Sequence, residues 1–149
     1  MSPQPLRLGI AGLGTVGMGV VRIVRQHADL LAARTGQTIQ ITAVSARSKA
    51  KDRGISLADY AWEDDPVALA TRDDVDVFVE LMGGSDGPAK AATEAALAAG
   101  KHVVTANKAM LAMHGQALAE QAETVGLSLR FEAAVAGGIP VIKALIEGL

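Results

Sequence analysis

Short continuous apolar runs alternate along this chain with longer stretches in which apolar residues recur three or four positions apart. The runs predict buried strands, and the spaced stretches predict amphipathic helices. Residues 6–11 form the first run, and residues 15 to about 34 follow as a helix with Val16, Val20, Ile23, Val24, Leu30 and Leu31 at helical spacing. Thr35-Gly36-Gln37 breaks that helix before a second strand over residues 39–44. Residues 54–75 read as a connection, in which 56–61 and 66–71 suggest short helices, and Tyr60 and Trp62 are expected to cover an edge of the sheet. Residues 76–81 predict the next strand, 88–99 an alanine-rich helix stopped by Gly100, and 101–105 another strand. Asn107 then caps a helix through Met110, Leu111 and Met113 that continues over 116–126. A strand over 127–132 and a last helix from Ile139-Pro140 through Val141, Ile142, Leu145 and Ile146 complete the pattern. Strands and helices in this alternation predict an α/β fold: a doubly wound sheet of five or six mainly parallel strands with helices on both faces.

Where the first strand gives way to the first helix, the sequence is Gly12-Leu13-Gly14-Thr15-Val16-Gly17. This is G-x-G-x-x-G, in which the first glycine makes a tight turn, the second admits a pyrophosphate close to the backbone, and the third lets helix pack on strand. Alone the motif is weak in a chain with 16 glycines. Placed between a strand and a helix it predicts a Rossmann-type dinucleotide site, with the N–H groups of the helix start facing the phosphates.

Composition narrows the picture further. The 149 residues suit one domain, 1–149, and no internal boundary or repeat interrupts them. The net charge of −2 and 3% aromatic content give neither a basic field nor a stacking surface, which argues against nucleic acid as partner. There is no cysteine, so disulfides, thiolate metal sites and a cysteine nucleophile are absent from this segment. His27, His102 and His114 lack metal-ligand spacing, and no serine sits in a nucleophile elbow. Neither a signal peptide nor an apolar run of membrane-spanning length is evident, so a cytoplasmic protein without a membrane partner is expected.

Three further places carry candidate chemistry. The second strand ends in Ser45-Ala46-Arg47, where a unit selective for NAD has an acid that reads the ribose 2′-OH. Arg47, with Lys49, Lys51 and Arg53 close behind, favours a 2′-phosphate, and hence NADP(H) over NAD(H). Met82-Gly83-Gly84 permits close backbone approach at the carboxyl end of its strand, the edge at which doubly wound sheets bind ligands. Lys108 falls in the first turn of a helix, where the helix dipole opposes a cation, so an anionic or polar ligand explains its placement better than solvent does. Gly12, Gly83, Lys108 and Glu132 are expected along one sheet edge.

Gly12 to Gly17, Glu80-Leu81-Met82-Gly83-Gly84, Thr105-Ala106-Asn107-Lys108-Ala109 and Glu132 to Pro140 together resemble, in order, four motifs of homoserine dehydrogenase, in its N-terminal nucleotide-binding half. The resemblance covers nearly the whole chain. It implies NAD(P)-dependent interconversion of L-homoserine and L-aspartate 4-semialdehyde in threonine, methionine and isoleucine biosynthesis. By carry-over Gly12, Gly14, Thr15, Val16 and Gly17 would hold the cofactor phosphates, Arg47 its adenosine end, and Met82, Gly83, Gly84 and Thr105 its ribose and nicotinamide. Lys108 would lie at the reaction centre, sharing cofactor binding with a catalytic role. The resemblance also implies a monovalent cation, sodium, held by Glu132 and the carbonyls of Val135, Gly137 and Ile139, and a homodimer for the complete enzyme. Complete members continue into a substrate and dimerisation domain that holds the amino acid and the main proton donor. This chain is therefore expected to bind cofactor without turnover, and to expose Val141, Leu145 and Ile146 to self-association. The alternative is a free-standing NADP-binding module that senses redox state or regulates a partner.

Overall fold

The computed structural model describes residues 4–135, 137 and 139–148. Its strands are β1 (Leu6–Ala11), β2 (Ile39–Ser45), β3 (Ala61–Glu63), β4 (Val77–Glu80), β5 (His102–Thr105) and β6 (Leu129–Arg130). Its helices are α1 (Thr15–Gln26), α2 (Ala28–Thr35), α3 (Pro66–Ala70), α4 (Pro88–Ala98), α5 (Lys108–Thr124) and α6 (Val141–Gly148), with a 3-10 turn at Glu132–Ala134. The strands form a single sheet in the order β3-β2-β1-β4-β5-β6, and every pairing is parallel. The order reverses between β1 and β4, the place at which sheets of this topology open a crevice at their carboxyl ends.

Two apolar layers hold helices to the sheet. On one face Phe78 and Val103 pack with Leu69 of α3, Ala89, Ala92 and Ala96 of α4, and Met110 and Leu118 of α5. Alanines on α4 bring that helix close, and Gly9 makes room for Val75, whose Cγ2 would lie 2.9 Å from a Cβ on residue 9. On the other face Ile10, Val44, Val77 and Val79 pack with Met18 and Val21 of α1. At the amino-terminal edge Arg7 grips Asp76 through two side-chain nitrogens, at 2.6 and 3.0 Å, joining the start of β1 to the start of β4. The Arg7 guanidinium holds the Asp76 carboxyl below the usual carboxylate range.

The elements depart from the sequence reading in three places. The helix expected over 15–34 is two helices, interrupted at His27 with φ −116° and ψ 24°. No residue of α2 is buried, and Leu30 is 48% exposed, so the apolar stripe continues into α2 without being buried there. Residues 56–61 form no helix. They lead into β3, a three-residue edge strand too short to show a periodicity, which pairs Ala61, Trp62 and Glu63 with Ala43, Val44 and Ser45. The strand expected over 127–132 is reduced to Leu129–Arg130, because Glu132 already belongs to the 3-10 turn. In α6 the side chains of Val141, Leu145 and Ile146 are 36%, 54% and 67% exposed. No helix among the described residues is long and apolar enough to cross a membrane.

Candidate functional site

Because all six strands are parallel, Gly12, Ala46, Asp64, Leu81, Ala106 and Phe131 each follow a strand at the same edge. At β1 the chain turns through Gly12 with φ +99°. A Cβ there would strike the Leu81 carbonyl and lie 2.8 Å from the Met82 nitrogen, so glycine lets the turn lie flat against the end of β4. A Cβ on Gly17 would strike the Gly12 carbonyl, so this glycine seats α1 on the turn. Gly14 differs from both. Its φ of −80° is open to any residue, and a Cβ there would meet nothing within 4 Å. The protein's own packing supplies no reason for glycine at 14, whereas a group lying against the backbone would. At the same point α1 begins with no side-chain cap and no acid in its first turn, leaving N–H groups for an anion.

These residues form one end of a cleft of about 530 Å³ that runs to Ala46, Arg47, Ser48 and Lys51 beyond β2 and to Met82 and Gly83 beyond β4. Arg53 fastens the basic loop: its guanidinium donates to the carbonyls of Ser48 at 2.7 Å, Lys51 at 2.8 Å and Leu13 at 3.3 Å. It also lies 5.6 Å from the centre of the Trp62 ring. Arg53 is thus occupied in holding the loop to the glycine turn, while Arg47 and Lys51 remain exposed in the cleft wall. The sequence reading missed Asp64, which β3 carries into the same wall and whose Oδ1 accepts the Trp62 indole N–H at 2.8 Å.

Beyond β4, Gly83 and Gly84 take φ of +92° and +90°, a turn that side chains disfavour. Glu80, also missed as a site residue, lies fully buried beneath it and accepts the Met82 N–H at 2.7 Å and the Gly83 N–H at 3.3 Å. Thr105 is buried as well and donates its hydroxyl to the second Glu80 oxygen at 2.6 Å. Asn107 caps α5 as the sequence predicts, accepting the Met110 N–H at 3.1 Å, and donates to the Gly84 carbonyl at 2.8 Å. Lys108 is the first residue of α5 and is exposed, with no ion pair among the described residues. The loop running on to α4 is tied to α5 by His114, whose Nε2 lies 2.8 Å from Asp86. The Ser85 hydroxyl, and then His114, hold the Asp86 carboxyl below its ordinary range.

At the end of β6 Glu132 stands apart from that cleft. Its Oε1 accepts the Lys143 N–H at 2.6 Å, while Oε2 is the one buried side-chain oxygen or nitrogen among the described residues without a hydrogen-bond partner. An orphaned carboxylate oxygen beside a glycine-bearing turn suits a hard cation completed by carbonyl oxygens. The Ile139 carbonyl already accepts the Val141 N–H at 2.7 Å. Ala136 and Gly138 of the same motif lie outside the described residues. No group of three or more His, Asp or Glu that could hold a metal occurs among the described residues, so carbonyls would have to supply most ligands.

Comparison with known proteins gives the family and the fold. Residues 12–132 match the family model described as homoserine dehydrogenase, NAD binding domain. The chain is 47% identical over 146 residues to the homoserine dehydrogenase of Neisseria gonorrhoeae, covering 98% of this chain and 33% of that protein. It is 44% identical over 146 residues to that of Mycobacterium bovis, with 98% and 32% covered. The crystal structure of a homoserine dehydrogenase from Thiobacillus denitrificans superposes with a TM-score of 0.89 at 39% identity, over 98% of this chain and 33% of that one. The chain thus spans about a third of the length of the relatives it matches.

Proposed function

This chain belongs to the homoserine dehydrogenase NAD-binding-domain family, and from that premise we propose that one nicotinamide dinucleotide lies along its carboxyl edge, serving interconversion of L-homoserine and L-aspartate 4-semialdehyde. The observation that carries the reading is Gly14, a glycine that neither backbone angle nor packing requires, at the uncapped start of a helix. Gly12 and Gly17 shape the loop, and the N–H groups of Thr15 and Val16 receive the pyrophosphate. Arg47 faces the adenosine ribose, where a fixed guanidinium fork suits a 2′-phosphate and makes NADP(H) the preferred form over NAD(H). Met82, Gly83 and Gly84 receive the nicotinamide ribose, with Thr105 holding the corner from which Lys108 projects.

When bound, the nicotinamide supplies hydride exchange with C4 of the substrate. Lys108 contributes a cation at the edge where the substrate oxygen gathers negative charge, and stabilises that charge as the alcohol proton leaves. Glu132, with carbonyls of Val135, Gly137 and Ile139, would hold a sodium ion that fixes the turn between β6 and α6. The complete enzyme is a homodimer in this reading. The 149 residues alone bind cofactor without turning homoserine over, since alignment of C4 with the ring, worth about 7–11 kcal/mol of barrier, falls to the substrate domain of the complete enzyme.

Calorimetric titration with NADPH and with NADH tests the cofactor assignment. NADPH binds more tightly to the wild-type chain, and Arg47→Ala brings the two affinities together. Equal affinities in the wild type, or a preference that survives Arg47→Ala, would remove the 2′-phosphate site.

A further inference from the structure

A wholly buried carboxylate is costly unless its oxygens meet donors, and an apolar side chain would fill the same space without that cost. Glu80 is 0% exposed and has no cationic partner among the described residues. Burial alone therefore does not call for an acid at the end of β4, and its hydrogen bonds show what the acid does there. One oxygen takes the N–H groups of Met82 and Gly83, in the turn after β4. The other takes the hydroxyl of Thr105, which ends β5 and in turn accepts the Asn107 N–H at 3.0 Å. Asn107 returns to the first turn through the Gly84 carbonyl. The bonds close a ring through Glu80, Met82 to Gly84, Asn107 and Thr105.

Two consecutive glycines with positive φ leave a turn free to take many shapes. The ring holds that turn from both sides and fixes it against the helix start that carries Lys108. We propose that Glu80 is a positioning residue which, through Thr105, presets the Met82–Gly84 turn and the Asn107–Lys108 corner as one rigid rim for the nicotinamide half of the dinucleotide. A rim ordered beforehand spares the ligand the cost of ordering it. The inference rests on the dinucleotide reading above and adds which half of the ligand Glu80 serves.

Titrations of the 149-residue chain with NADPH and with 2′-phospho-ADP, which lacks both the nicotinamide and its ribose, separate the two halves. The wild-type chain binds both, NADPH the more tightly. In Glu80→Gln, whichever way the amide faces, at least one donor is left without an acceptor: the Thr105 hydroxyl, or the Met82 and Gly83 N–H groups. In Thr105→Val the hydroxyl that joins Glu80 to the Asn107 N–H is lost, and only the Asn107 bond to the Gly84 carbonyl still ties the two loops. Both variants lose about ten- to hundredfold in NADPH affinity while 2′-phospho-ADP binds as before. Thr105→Ser, which keeps the hydroxyl, restores the affinity, and in Thr105→Val amide hydrogen exchange at Met82 and Asn107 speeds up together. Equal losses for both ligands would mean a merely structural role and overturn the proposal. So would a wild type that binds the two ligands equally, or a serine variant as weak as valine. If Glu80→Gln fails to fold, the valine and serine pair decides. A wild type that binds neither ligand contradicts the dinucleotide reading itself, and this inference falls with it.

Discussion

Where β1 passes into α1, the protein's own backbone requires glycine at 12 and 17, and nothing in its packing requires it at 14. The three positions therefore separate stability from binding. Gly17→Ala forces a methyl into the Gly12 carbonyl and is expected to cost about 1–3 kcal/mol of folding stability, read from urea denaturation. Gly14→Ala is expected to leave the midpoint unchanged and to weaken NADPH binding tenfold or more by calorimetry. A destabilised Gly14→Ala chain with normal affinity would reverse the assignment. The glycine spacing was legible in sequence because it is local, and Arg47 and Lys108 because each follows a strand. Glu80 was not, since an acid at a strand end looks the same in sequence whether it faces solvent or is sealed under a turn. Asp64 was hidden for another reason: the strand that delivers it is too short to announce itself.

At the level of elements, the parallel sheet brings six strand ends to one edge, and caps and ion pairs set how firmly each end is held. Asn107 is both the cap of α5 and a donor to the Gly84 carbonyl. Asn107→Ala is expected to cost about 1–2 kcal/mol in denaturation, because the cap of α5 and the bond to the Gly84 carbonyl are lost together. At the opposite edge Arg7 holds Asp76 below its unfolded acidity. A carboxyl whose folded value is depressed adds stability above the unfolded value of about 3.9, and that stability is lost as pH falls through the folded value. Denaturation midpoints should therefore drop below about pH 4, and less steeply in Asp76→Asn. An identical acid limb in that variant would show that the pair does not contribute. Strands and helices of ordinary length were legible from apolar spacing. The break at His27 was not, because the stripe of Leu30 and Leu31 continues at helical spacing across it. The early end of β6 was likewise invisible, since Phe131 and Glu132 continue a strand-like alternation into a 3-10 turn.

For the molecule as a whole, the crevice at the reversal of strand order joins a basic wall, an uncapped helix start and a braced glycine turn. Lys108 starts α5 beyond the next strand end, outside the residues that line the crevice, and the arrangement has the reach of a dinucleotide only if all four act on one ligand. Amide chemical shifts of the isotopically labelled chain, followed during titration with NADPH, test that directly. The expected result is a single saturating transition that moves Gly14 to Val16, Arg47, Met82 to Gly84 and Lys108 together, while Arg7 and Asp76 at the far edge stay in place. Shifts confined to the glycine loop and Arg47, with Gly83 and Lys108 unmoved at saturation, would contradict a single dinucleotide lying along this edge.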